Sequence, residues 1–362
     1  MKAYIVDRKA LAENIIKLRE KAGSVAVYGV IKGNGYGLGL IPMAEILREN
    51  GVCRFAVTEP EDVSALRRAG FLDEEILMLR ATCIPSELDS LIRDDAVLTI
   101  SDMDCAQAIS TAAQSAGKNA RCHIKVDTGM GRYGFHPGET DSAAAVFKLP
   151  GIEISGIYTH FHSAFCNEAE TKKQFSDFTA FCARLTELGL DPGLRHCCNS
   201  SAFVRHPEMY LDGVRLGSAL LGRLSCEDPI GLNRIGWCES CVEQKHTLPA
   251  GHGVGYGAPW HAGRPTVTAV CGVGYYNGFD AGIADDIFRF RDCVRMGLGA
   301  LRSFLTKKAI YVTVNGKPAR VLGHIGMVQT IVDVTDIPCA PGDPVRLEIN
   351  PLRVKGMEVV FR

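Results

Sequence analysis

Residues 27–40 read VYGVIKGNGYGLGL, and this stretch decides the fold. An apolar run of strand character ends in one lysine, Lys32. Four glycines then follow at every second position: Gly33, Gly35, Gly37 and Gly39. The run lacks polar alternation, so both of its faces are expected to be covered, as in a parallel sheet. Seven more runs of this kind lie at 54–58, 75–80, 96–100, 121–128, 154–161, 194–199 and 211–217. Helical patterns such as EPEDVSALRRAG and ETKKQFSDFTAFCARLTELG separate them. Eight strands with intervening helices predict an α/β fold, a (β/α)8 TIM-type barrel over residues 1–225; a doubly wound open sheet is the alternative.

Beyond residue 225 the pattern changes. PTVTAVCGVGYY, AIYVTV, PARVLGHI, QTIVDVT, PVRLEIN and MEVVFR are short, β-rich and separated by turns. They predict a mostly β C-terminal domain over 226–362. Asn315-Gly316, between two such runs, signals a two-residue hairpin. Residues 280–308 interrupt the domain with a helical, basic segment. Its Arg289, Arg291, Arg295 and Arg302 are expected on a solvated helix face.

The 362 residues carry a net charge of −1, so no overall basic field recruits nucleic acid or an anionic membrane. No run reaches the roughly 18–20 apolar residues of a membrane helix, and residues 1–20 lack a signal-peptide layout. The 14 cysteines sit mostly inside apolar runs and are read as reduced core thiols, which places the protein in the cytoplasm. His160, His162, Cys166, His196, Cys197 and Cys198 fit no standard zinc spacing, so no metal is expected.

The carboxyl ends of barrel strands form the active face. A strand-end lysine in an apolar wall has a depressed pKa, and its neutral amine can attack a carbonyl to form a Schiff base. A lysine that merely reaches along the surface is the alternative. The glycine loop is neither a dinucleotide fingerprint nor a P-loop. The other strand ends carry Lys125, Asp127 and Arg132 (KVDTGMGRYGF), His160 (YTHFH), Asn199 and Ser200 (CNSSAF), and Arg215, Gly217 and Ser218 (VRLGSALLG). Loops after the seventh and eighth strands of such barrels often bind phosphate. One rim holding lysine, arginines, histidine and a phosphate cradle suggests a phosphorylated aldehyde held covalently.

IKGNGYG, KVDTGMGRYGF, IYTHF, CNSSA, VRLGSALLG, VGYGAPW, VGYYNGF and VLGHIGM…VDVT occur in this order. In them the chain resembles the alanine racemase family of fold-type III pyridoxal-phosphate enzymes, nearly end to end. The resemblance implies pyridoxal 5′-phosphate as cofactor, a small amino acid as substrate and a homodimer with shared active sites. It implies that Lys32 binds the cofactor and acts as one base, and that Tyr36, Ser200 and the backbone of Gly217 and Ser218 hold its phosphate. Asn199 stands beside Ser200 in the same cofactor-binding motif. By the same likeness Arg215 faces the pyridine nitrogen, and His160 lies between Arg215 and the catalytic tyrosine. Arg132 meets the substrate carboxylate, Lys125 is a carbamylation site orienting Arg132, and Tyr256 is the second base, supplied by the partner subunit. Tyr275 and Met327 line the shared entrance.

The chemistry suits those roles, because a planar carbanion needs a base on each face and a cofactor to spread its charge. The sequence departs from the family at Val328 and Asn277, where the family carries an aspartate, and in the 280–308 insert. No match is found for the family's late phosphate-contacting tyrosine. The expected activity is two-base racemisation, with alanine first and serine or a larger amino acid next. A cofactor-binding protein without turnover is the reading from another class.

Overall fold

The structure is a computed structural model that describes residues 2–280, 290–306 and 309–362, the side chains of 291, 292 and 304 excepted. The chain divides into two compact units. The first spans Asp7–Ile235. The second comprises Gly236–Arg362 together with the N-terminal strand β1 (Ala3–Val6).

The first unit is the expected barrel. Its strands are β2 (Ala26–Val30), β3 (Arg54–Val57), β4 (Glu75–Met78), β5 (Leu98–Ile100), β6 (Ala120–Lys125), β7 (Ile152–Tyr158), β8 (Leu194–Cys198) and β9 (Gly213–Leu216). They pair in parallel in the order β4-β3-β2-β9-β8-β7-β6-β5. Closure comes from Met78 N–H donating to Val97 O and Val97 N–H donating to Ile76 O, both at 2.9 Å. The helices start where the sequence offers a side-chain acceptor or a proline. Asp7 caps Arg8–Ala22, Asp102 caps Met103–Ser115 and Asn167 caps Glu168–Glu187. Pro60 and Pro85 open two others.

Aliphatic side chains fill the space between strands and helices, but the lumen holds a polar layer. Tyr28, His123, Tyr158, His196 and Arg215 are all buried there. The His196 ring lies between Tyr28 and Tyr158, with centroid distances of 5.2 and 4.9 Å. Such a layer is stable only if its polar atoms find partners, and hydrogen bonds to Glu75, to Thr99 and among the layer's own side chains provide them.

In the second unit β10 (Gly236–Leu248) pairs with strands on both sides and is long enough to serve two sheets. Its first half pairs antiparallel with β1 and with a strand at Pro344–Leu347; its second half pairs with Thr266–Cys271. The N-terminal strand, counted with the barrel in the sequence reading, therefore belongs here, because its ladder partners are β10 and Glu358–Phe361. The barrel's own boundary correspondingly extends past 225 to Ile235. At the predicted hairpin, Asn315 and Gly316 have φ of 48° and 78°, and Val314 opposes Lys317. This is the two-residue turn that Asn-Gly favours.

The basic insert contains a helix at Phe290–Leu305. Arg289 lies outside the described residues, as does the side chain of Arg291; Arg295 and Arg302 lie on the helix and are exposed. The reading of the cysteines passes over one C-x-x-C spacing, Cys238–Cys241. Both fall on β10, where residues three apart point to opposite faces, so the spacing makes no redox or metal pair. None of the 14 cysteines is in a disulfide, and no metal-binding cluster occurs among the described residues.

Candidate active site at the carboxyl rim of the barrel

Lys32 follows β2 and opens a turn that ordinary residues avoid. Gly33, Asn34, Gly35 and Tyr36 have φ of 61°, 54°, 63° and 58°. Four successive left-handed residues make one left-handed helical turn, a shape that only glycine adopts without cost. The alternating glycines are there to allow it, and Asn34 secures it by accepting a hydrogen bond from Leu40 N at 2.9 Å. The turn sends the Tyr36 hydroxyl against Gly217, where an added Cβ would lie 2.0 Å from that oxygen.

These groups line one cavity of about 420 Å³, built wholly from the barrel. Lys32, Tyr36, Lys125, Arg132, His160, Asn199, Ser200, Arg215, Gly217 and Ser218 all border it, so the barrel residues singled out from sequence converge. The lining includes five cationic side chains and no carboxylate. Burial, then the charges of Arg132 and Arg215, lowers the Lys32 pKa from its usual 10.5. Lys125 is buried and donates to Val126 O at 2.7 Å. Burial and Arg215 bring its pKa down to about 7, against an opposing pull from Asp127. Burial works to raise the Asp127 carboxyl, but N–H donors at Gly129, Met130 and Arg132 outweigh it and hold that carboxylate below its usual range. The same bonds fold the loop that carries Arg132.

The cradle is equally local. Ser200 Oγ accepts from Gly217 N at 3.1 Å and Ala219 N at 3.2 Å, tying the loops after β8 and β9 together. Asn199 caps the short helix after β8, its Oδ1 accepting from Ala202 N, while its Nδ2 donates to Phe161 O. Burial pushes the Tyr36 phenol up to about 12, so it stays protonated and able to donate. A phenol, a hydroxyl and close-approach backbone among cations form a donor set that fits a phosphate-bearing anion.

Arg215 is fixed from below. Its Nη2 donates to Thr159 O at 2.7 Å, and its Nη1 lies 2.7 Å from His196 Nδ1. A guanidinium has no acceptor, so His196 Nδ1 must accept. Its Nε2 then carries the proton and donates to His123 Nδ1 at 3.0 Å. Burial and then Arg215 keep both histidines, and His160, well below the usual imidazole pKa. All three are neutral near pH 7.

Sequence reasoning missed Tyr158, Arg80 and this His196–His123 pair. His123 was visible in principle, because it sits two residues before Lys125 and so shares its inward face. Arg80 borders the cavity with its charge shared bidentately by Glu87 at 3.0 and 3.1 Å. Tyr256, Tyr275 and Met327 are not on the cavity. They belong to the second unit and are 87%, 55% and 55% exposed. The turn at 323–327 joins them. An added Cβ on Gly255 would lie 3.2 Å from His324 N, and Tyr275 N–H donates to Gly326 O at 3.0 Å. Val328 is exposed beside Met327. Asn277 is fully buried, donating to Lys355 O and accepting from Gly274 N and Lys2 Nζ. An amide serves both directions there; an ionised carboxylate could not donate.

Fold and site together define a (β/α)8-barrel protein with a strand-end lysine and a set of donors suited to an anion at the carboxyl rim of its strands, followed by a β-rich unit. The family model for the alanine racemase N-terminal domain matches residues 6–225, and that for the C-terminal domain matches 237–353. Alanine racemase of Desulforamulus reducens is 34% identical over 340 residues, 92% of this chain and 85% of that one. The enzyme of Methanococcus maripaludis is 31% identical over 92% of this chain and 84% of its own. Alanine racemase from D-cycloserine-producing Streptomyces lavendulae superimposes with a TM-score of 0.84 at 26% identity, covering 100% of this chain and 97% of that one. The chain belongs to the alanine racemase family. The expected fold and the expected amino-acid racemase class of isomerase are thereby borne out.

Proposed function

We propose that this chain interconverts L- and D-alanine with pyridoxal 5′-phosphate held in the barrel cavity. The observation that carries the proposal is a lysine amine of lowered pKa in a cationic cavity beside a built anion cradle. Lys32 would hold the cofactor's aldehyde carbon. Tyr36, Ser200, Gly217 and Ser218, with Asn199 fixing the loop, would hold its phosphate. When bound, the cofactor spreads the charge left at Cα over its ring.

The chain's own residues supply the rest. Arg215, which can only donate, would face the ring nitrogen and leave it without a proton. That limits how strongly the ring draws electrons, and it favours racemisation over harsher bond cleavages. Arg132 orients the substrate carboxylate, and the turn built on Asp127 orients Arg132. Lys32 takes or returns the Cα proton on one face. Tyr256 of a second copy does so on the other, with Tyr275 and Met327 forming the entrance. Neutral His160 stands beside Arg215 to stabilise the tyrosine's charged form. A neutral fraction of Lys125 near pH 7 is what reaction with carbon dioxide requires, so carbamylation of Lys125 is part of the proposal. The free cysteines support a reducing, cytoplasmic setting, and no described helix is long and apolar enough to cross a membrane.

The test is a panel of single enantiomers in D2O with cofactor-loaded protein, followed by mass spectrometry and chiral chromatography. Alanine should gain one α-deuteron and approach the racemate. No α-deuteration of any amino acid overturns the proposal, leaving a binder without turnover. The exposed Val328 carries the second reading: a faster rate on serine or a larger residue would move the substrate, not the reaction.

A further inference from the structure

His123 takes no part in the proposed chemistry, yet it stands at the head of a row that ends on Arg215. The row crosses four adjacent strands: His123 on β6, Gly156 on β7, His196 on β8 and Arg215 on β9. Both histidines stand at breaks in strand register, between Cys122 and His123 and between His196 and Cys198. Such breaks re-aim side chains. Gly156 leaves the space that the His123 ring fills, since a Cβ built there would lie 2.5 Å from His123 Nε2. Tyr28 and Tyr158 stack on His196 at 18° and 16° from parallel and hold the plane of its ring.

The row has one polarity. The Arg215 guanidinium only donates, so His196 offers Nδ1 and keeps its proton on Nε2. That proton needs an acceptor, and the Nδ1 of His123, 3.0 Å away, accepts it. Removing His123 strips this buried N–H of its acceptor. Moving the proton to Nδ1 instead would set it against a guanidinium N–H. Either way the hold of His196 on Arg215 slackens.

We propose that His123 is a positioning residue for Arg215, acting through the tautomer of His196. The inference deepens the function proposed above and rests on it for what Arg215 does to the cofactor. The test compares His123→Leu, which removes the acceptor, with His123→Asn, whose Oδ1 stands where Nδ1 stood. Gly156→Ala, which crowds the His123 ring off its place, is the third variant. Nitrogen NMR of the histidine-labelled, cofactor-free parent should find the His196 proton on Nε2, with scalar coupling to His123 Nδ1 across the hydrogen bond. These two readings need no variant to fold. In the cofactor-loaded protein, kcat for alanine should fall about tenfold or more in His123→Leu and Gly156→Ala. KM should stay within about threefold, because Arg132 is untouched. The absorbance maximum of the bound cofactor should shift in the same two variants, and His123→Asn should restore both rate and absorbance. The inference is overturned by a His196 proton on Nδ1, by no coupling to His123, by His123→Leu with the parent's rate and absorbance, or by His123→Asn no better than His123→Leu. A parent that turns over no amino acid fails the proposed reaction; the tautomer, the coupling and the absorbance then decide the role of His123.

Discussion

At the scale of single residues, burial and neighbouring charge lower the pKa of the two lysines of the site and burial raises that of the Tyr36 and Tyr158 phenols. Lys32 sits among Arg132 and Arg215 in a partly dry cavity, and both effects favour the uncharged amine. Reduction with borohydride followed by peptide mapping should leave a pyridoxyl label on Lys32 of the cofactor-loaded protein. Lys32→Ala should lose that label and fall in racemisation by roughly 10²–10⁴-fold, the usual share of a positioned base. A label on another lysine would remove the basis of the proposed chemistry. Lys125 gives a pH prediction whose sign follows from its shift. Its pKa is about 7 folded and near 10.5 unfolded, so between those values the unfolded chain binds more protons. Stability of the uncarbamylated protein should therefore rise with pH across that window. Below pH 7 the penalty is fully present. Lys125→Met should flatten the rise, as read from urea midpoints from pH 7 to 10; an unchanged slope would contradict the assignment.

At the scale of elements, the left-handed turn after β2 is what converts a strand end into a site. Gly35 has φ of 63°, and an added Cβ would lie 2.9 Å from Met43 Cγ. Gly35→Ala should cost about 1–2 kcal/mol of stability, the left-handed penalty of a non-glycine residue. It should also loosen cofactor retention, because Lys32 and Tyr36 are the two ends of that turn. Equal stability with unchanged cofactor dissociation would show that the turn relaxes freely. The same turn shows what sequence can and cannot disclose. Strand ends were legible because a parallel strand buried on both faces is a largely apolar run, and the polar residues clustered where the run stops mark the rim. That one rule located Lys32, Lys125, His160, Ser200 and Arg215. The handedness of the turn was not legible, since four alternating glycines permit many conformations. Nor was the lumen layer: His123 and His196 are polar residues inside apolar strands, and only the closed barrel shows that they face each other and Arg215. The N-terminal strand was missed because it pairs with partners more than 230 residues away, at Glu239 and Glu358.

At the scale of the whole molecule, the two units divide the proposed chemistry between them. Every barrel residue proposed to meet the cofactor and the substrate carboxylate borders the cavity with Lys32, whereas the phenol proposed as the second base is not on its lining. Tyr256 is 87% exposed in the β-rich unit, at a turn held by Gly255 and Gly257 with φ of 80° and 71°. A phenol presented to solvent on a tight turn, with Tyr275 and Met327 on the adjoining turns, is the group proposed to enter the site of a second copy. If that site lies on a second copy in a two-fold dimer, each active site draws Lys32 from one chain and Tyr256 from the other. Lys32→Ala and Tyr256→Phe homodimers should then each be inactive or nearly so in racemisation. Mixing them under conditions that exchange subunits forms heterodimers in which one site has lost both bases and the other has regained both. With random exchange half the dimers are mixed, so activity should return to about one quarter of the parent value. Sites completed within one chain would give no recovery at any ratio. Dilution supplies the companion measurement: specific activity should fall as the dimer dissociates, while the borohydride label on Lys32 persists, because the groups proposed to hold the cofactor all lie in the barrel.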